Sequence, residues 1–139
     1  MKLCMLGTGY VGLVSGVCFA DIGNQVICVD KDKTKIKLLN SGIIPIYEPG
    51  LEEIVKRNHN KKRLIFTTDL KEAIKNSKII FICVGTPTQK NSNKADLKYV
   101  FQVTNQLKKY INNYKIIVTK STVPVTTGDK IESILKKNK

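Results

Sequence analysis

The sequence predicts an α/β fold, a doubly wound parallel sheet with helices on both faces. Three observations predict it. Short apolar runs alternate with helix-period segments along the whole chain. The first run leads straight into a Gly7-x-Gly9-x-x-Gly12 triplet that opens a helix. The second run ends on an acidic residue, Asp30, eighteen positions beyond Gly12.

The elements follow in order. "KLCML" (2–6) is an apolar run before glycine and reads as a buried strand. "YVGLVSGVCFADI" (10–22) predicts a helix with Val11, Val14, Cys18 and Ile22 along one side, ended by Gly23. "QVICV" (25–29) is the second strand, stopped by Asp30. "DKTKIKLLNSG" (32–42) suits a helix with Ile36 and Leu39 inward. "IIPIYEPG" turns the chain, and a helix starts near Leu51. "LIFTT" (64–68) is a strand, and "DLKEAIKNS" (69–77) a short helix with Asp69 as N-cap. "KIIFICV" (78–84) is apolar on both faces, as a central parallel strand should be. A long loop, "GTPTQKNSNKAD" (85–96), precedes a helix over 97–111 with Val100, Val103 and Leu107 inward. "KIIVTKS" (115–121) is the fifth strand, and 126–137 the last helix. A full doubly wound pattern has six strands, so this Rossmann-type sheet is expected to be truncated before or near its sixth.

The chain has 139 residues, which predicts one domain, and 42% of them are hydrophobic. The formal net charge is +13, but the lysines are spread along the chain and only Arg57 and Arg63 are arginines. That pattern reads as a solvated basic surface, compatible with an anionic substrate, and not as a nucleic-acid-binding stripe. Cys4, Cys18, Cys28 and Cys83 form no C-x-x-C pair and lie in apolar runs. They read as buried reduced thiols of a cytoplasmic protein, with no metal site expected. The single histidine, His59, lies in the polar stretch "RNHNKK" and is expected at the surface. No apolar run approaches the ~20 residues of a membrane span. Four glycines interrupt the first 22 residues, which therefore read as strand, turn and helix instead of an export leader.

The triplet is expected to hold a dinucleotide pyrophosphate. Gly7 permits the tight turn, Gly9 lets the backbone approach a phosphate, and Gly12 lets the helix pack on the strand. The helix N-terminus adds free N–H groups and partial positive charge. The Asp30 carboxylate suits a ribose diol, and it disfavours a 2′-phosphate, which selects NAD over NADP; its alternative role is a helix N-cap. Lys31, Lys33 and Lys35 weaken that preference, since a cation suits the extra phosphate. Two further loops, "VGTPT" (84–88) and "KSTVP" (120–124), fall at C-terminal strand ends, where such sheets bind ligands. Each alone also reads as a plain loop; together with the glycine turn they favour one cofactor crevice.

Taken together, "GTGYVGLVSG", "GIIPIYEPGLEEIV", "FICVGTPT", "ADLKYV" and "TKSTVPVTTGDKI" resemble the nucleotide-sugar dehydrogenases, the UDP-glucose/GDP-mannose dehydrogenase family. The likeness spans essentially the whole chain in the right order. "YEPGL" tilts it toward the UDP-glucose branch, over GDP-mannose and UDP-N-acetylmannosamine relatives. The resemblance implies that residues 1–139 are an NAD-binding domain without the family's central and C-terminal substrate domains. It implies that Gly7, Thr8, Gly9, Tyr10, Val11 and Gly12 hold the pyrophosphate, and that Asp30 and Lys35 hold the adenosine ribose. It places Val84, Gly85, Thr86, Pro87 and Thr88 along the cofactor, and Ser121, Thr122 and Val123 near the nicotinamide. The full-length family oxidises a sugar 6-hydroxyl to a carboxylate with two NAD in succession, as a homodimer or larger assembly. Its nucleophilic cysteine belongs to later motifs, so no catalytic residue is expected here and the chain alone is expected to be inactive. Thr126 stands where the family has glycine, and "KNSNKAD" replaces a shorter, glycine-containing approach to "ADL".

Two other classes fit parts of the sequence. A stand-alone nucleotide-sensing module shares the glycine motif and strand-end aspartate but has no evident need for "IPIYEPGL" and "KSTVPV". A nucleic-acid-binding domain would call for an aromatic–basic cluster that the chain lacks.

Overall fold

Every predicted strand starts within a residue of its apolar run. The computed structural model describes residues 1–136. Strands β1 (Lys2–Leu6), β2 (Gln25–Val29), β3 (Leu64–Thr67), β4 (Ile79–Ile82) and β5 (Ile116–Thr119) form one parallel sheet. Their spatial order is β3-β2-β1-β4-β5. Helices α1 (Tyr10–Asp21), α2 (Lys33–Asn40), α3 (Leu51–Asn60), α4 (Leu70–Asn76), α5 (Lys98–Tyr110) and α6 (Thr127–Lys136) cover it.

Alternation along β1 divides the core in two. Leu3 and Met5 pack with Leu13, Val17, Leu39, Val55 and Phe66 on the face of α1, α2 and α3. Cys4 and Leu6 pack with Ile74, Val100, Leu107 and Ile131 on the face of α4, α5 and α6. The chain winds outward from β1 to β3 and then returns to β4, so the direction reverses between β1 and β4. Register places Thr67, Val29, Leu6, Ile82 and Thr119 in one row across the sheet. All five strands therefore release their chains at the same edge.

Helix α1 is rotated from its expected orientation. Gly12, Leu13, Gly16, Val17 and Ala20 face the sheet, whereas Val11 and Ile22 are exposed. The helix is apolar nearly all round, so periodicity gave no direction, and closeness of approach decides it. A Cβ on Gly16 would lie 2.9 Å from both Cys28 Sγ and Met5 Cγ. Cys18 is consequently exposed, contrary to the expectation of four buried thiols. In α5, Val103 packs half-buried against the core as expected, and Thr104 is buried beside it, its hydroxyl donating to Val100 O at 2.8 Å. His59 is half-buried instead of exposed, with Nδ1 3.2 Å from Leu64 O and its ring stacked on Phe66.

Three strands end earlier than their apolar runs. Lys120 N and Ser121 N both donate to Ile82 O, at 2.9 and 3.0 Å, so the regular β4–β5 ladder stops there. Strand propensity does not register such a stop. The loop after β4 is closed on itself. Asp96 N donates to Pro87 O at 2.7 Å, and a single bridge pairs Thr88 with Ala95.

Thr126 keeps the left-handed backbone expected of glycine, at φ 74°. In its turn, Thr127 N donates to Pro124 O at 3.2 Å. A β-branched residue in this region costs about 1–2 kcal/mol, while glycine loses more backbone entropy on folding. Thr126→Gly is therefore expected to raise unfolding free energy by about 0.5–1 kcal/mol in urea denaturation; an unchanged or lower midpoint would contradict the strain.

Candidate functional site

The loops at the strand ends border a crevice of about 1040 Å³. Its floor is the glycine turn. Gly7 N donates to Val29 O at 2.8 Å, and its φ of 105° is the left-handed backbone a side chain resists. A Cβ on Gly12 would lie 1.9 Å from Gly7 O, so glycine alone allows α1 this close to the turn. Gly9 differs from both. Nothing lies within 4 Å of its would-be Cβ, and the residue lines the crevice. Gly9 is also the N-cap of α1 and provides no side-chain acceptor. The first-turn N–H groups are thus left without a side-chain acceptor beside the open space at Gly9.

Asp30 stands at one side of this turn, 13% exposed through its side chain. Its Oδ2 accepts from Thr8 N at 3.0 Å and from Thr8 Oγ1 at 2.8 Å, and Lys35 Nζ lies 3.4 Å away. Its Oδ1 accepts from Asp32 N at 3.0 Å. Burial pushes the Asp30 carboxyl up, but the bonds from Asp32, Thr8 and Lys35 outweigh it and hold the group below its ordinary range. The N-cap alternative does not hold, because the cap of α2 is Asp32, whose side chain accepts from Lys35 N.

The other two loops meet across the crevice. Thr86 Oγ1 lies 3.0 Å from Thr122 Oγ1. Ser121 Oγ donates to Val84 O at 2.7 Å and so pins one loop to the other. Among the residues anticipated from sequence, Gly7, Gly9, Tyr10, Val11, Asp30, Lys35, Val84, Gly85, Thr86, Ser121 and Thr122 line the crevice. Thr8 does not; it is fully buried and holds Asp30 from behind. Gly12 lies beneath the turn, Val123 packs into the core, and Pro87 and Thr88 lie at the neck of the closed loop.

Sequence reasoning missed part of the wall. Tyr99, Gln102, Val103 and Gln106 line the crevice from α5, with Leu70 and Lys31 beside them. Their i, i+3, i+4, i+7 spacing was the available signal, obscured by the stronger apolar stripe next to it. Cys83 forms part of the floor, and burial pushes its thiol up to about 11. Lys31, Lys35 and Lys120 against the single carboxylate of Asp30 make the lining positive overall, which suits a pyrophosphate. No His/Cys/Asp/Glu cluster fit for a metal occurs among the described residues. None of the described helices is long and apolar enough to cross a membrane.

Comparison with known proteins agrees with this geometry. The sequence model for the UDP-glucose/GDP-mannose dehydrogenase family, NAD binding domain, matches residues 1–139. A UDP-glucose 6-dehydrogenase of Rhizobium meliloti is 52% identical over 98% of this chain and 31% of its own length. The crystal structure of a ternary complex of GDP-mannose dehydrogenase from Pseudomonas aeruginosa superposes with a TM-score of 0.92 at 39% identity, over 99% of this chain and 33% of that one. The UDP-N-acetyl-mannosamine dehydrogenase of Staphylococcus aureus gives a TM-score of 0.87 at 28% identity, over 97% of this chain and 32% of that one. The chain thus spans about a third of the length of these relatives.

Proposed function

The chain belongs to the UDP-glucose/GDP-mannose dehydrogenase family as its NAD-binding domain, and from that premise we propose that it serves a UDP-glucose 6-dehydrogenase. In this reading the whole enzyme oxidises UDP-glucose to UDP-glucuronate with two NAD, as a cytoplasmic homodimer or larger assembly. The UDP-glucose 6-dehydrogenase relative at 52% identity and the "YEPGL" segment support the sugar assignment.

The observation that carries the cofactor reading is the pairing of an open space at Gly9, at the N-terminus of α1, with a fixed, ionised Asp30 beside it. When bound, the dinucleotide supplies a hydride acceptor. The residues of this chain bind and orient it. The first turn of α1 faces the pyrophosphate, Asp30 and Lys35 the adenosine ribose, and Thr86 and Thr122 the nicotinamide half. Ser121 keeps the two strand-end loops at a fixed separation through its bond to Val84 O.

The chain by itself holds no thiol fit to capture an aldehyde. Cys4, Cys28 and Cys83 are buried with raised pKa values, and Cys18 does not line the crevice. Titration of the chain with NADH and NADPH is expected to show tighter binding of NADH. NAD and UDP-glucose added to the same protein should yield no NADH. Equal affinity for the two cofactors would count against Asp30 as ribose ligand, and sustained turnover would count against the reading of the thiols.

A further inference from the structure

One contact at the crevice mouth joins the end of β2 to α5. Lys31 Nζ lies 4.6 Å from the centre of the Tyr99 ring. Lys31 follows Asp30 at the end of β2, and Tyr99 lies in the first turn of α5. Both are exposed and both line the crevice, so the contact bridges its mouth from opposite walls. Beneath it, Gln102 and Gln106 bring amide donors and acceptors, and Leu70 and Val103 bring apolar surface.

We propose that Lys31 and Tyr99 form a displaceable latch over the nucleobase end of the crevice. Lys31 caps the Tyr99 ring in the free protein and leaves it when an adenine ring stacks there. This rests on the dinucleotide reading above. The order of the groups supports it: phosphate space at Gly9, ribose carboxylate at Asp30, and then, one residue further out, Lys31 against a flat aromatic face. A base attached to a ribose held at Asp30 lies on the side away from the phosphate, and Tyr99 stands within reach of Lys31, the residue next to Asp30. A ring face is occupied by one partner at a time, so an incoming base and the Lys31 ammonium compete for it. The closed latch reduces the fraction of protein ready to bind, and apparent affinity falls by that fraction.

The test titrates NADH and ADP-ribose into the unchanged chain and into Tyr99→Ala, Tyr99→Phe and Lys31→Met. All four proteins are compared at one salt concentration of about 0.15 M, with a Debye length of about 8 Å, so the 4.6 Å contact keeps its weight. Tyr99→Ala should weaken both ligands by the same factor of about 10, since a stacked base contributes that much. Tyr99→Phe keeps the ring and should stay within about 2-fold. Lys31→Met should tighten both ligands by about 2- to 5-fold, the weight of an exposed cation–π contact. A Tyr99→Ala protein that binds ADP-ribose normally overturns the proposal, as does a Lys31→Met protein that binds more weakly. Failure of the unchanged chain to bind NADH would refute the dinucleotide reading itself; normal binding with an indifferent Tyr99→Ala refutes only the latch.

Discussion

Gly9→Val is expected to abolish NADH binding and leave the fold intact. Gly9 has φ −69° and ψ −172°, an extended conformation valine adopts readily. Apart from its chain neighbours, no protein atom lies within 4 Å of its would-be Cβ, so the side chain branches into open space. It fills the space beside the first-turn N–H groups of α1. Each charge-assisted hydrogen bond lost there costs about 1.5–3 kcal/mol, so affinity should fall by more than about 100-fold. Gly12→Ala should do the reverse. Its Cβ would stand 1.9 Å from Gly7 O, a backbone atom that cannot turn aside. That protein should lose about 3 kcal/mol or more of stability, or fail to fold. Circular dichroism and NADH fluorescence on the two variants separate the roles. A folded Gly9→Val protein that still binds NADH would place the phosphates elsewhere.

Asp30→Ala should weaken NADH by roughly 10- to 100-fold, the weight of hydrogen bonds from a ribose diol to a charged group. It should also collapse the preference over NADPH, because Lys31 and Lys35 then face the 2′-phosphate without an opposing carboxylate. Asp30 also accepts from Thr8 and Asp32, so part of the loss in the alanine variant is a loosened glycine turn. Asp30→Asn keeps an acceptor and removes the charge, and should lose selectivity more than stability. The carboxyl is held below its ordinary range, so NADH affinity should stay flat from about pH 8 to about pH 5. The sign for folding is the same: the contribution of Asp30 is complete above its unfolded pKa, about 3.9, and is lost as pH falls through the lower folded value. A midpoint for NADH binding near pH 6 to 7 would point to a different group.

Strand positions and the glycine turn were legible because each depends on local chemistry. The apolar run before Gly7 is strand β1, and Asp69 caps α4 as its spacing implied, accepting from Glu72 N at 3.0 Å. The rotation of α1 was not legible, because contacts of Gly16 with Cys28 and Met5 decide it and those residues are distant in sequence. Asp30 and Asp32 are two positions apart, and either suits a cap; only the fold shows Thr8 reaching one and the helix the other. Thr8 itself reads as a residue of the phosphate turn, yet its fully buried hydroxyl serves the carboxylate. The α5 wall of the crevice was hidden by its own helix, whose inward stripe of Val100 and Leu107 drew the reading to one face.

The closed loop after β4 bears on how such a chain changes length over generations. Pro87 and Asp96 are tied at the neck, so residues between them extend outward without moving Thr86 on one side or α5 on the other. Closure entropy grows slowly with loop size, by about 0.6 kcal/mol per doubling. A change of length in this excursion is therefore expected to cost little and to leave the crevice a few residues away in place.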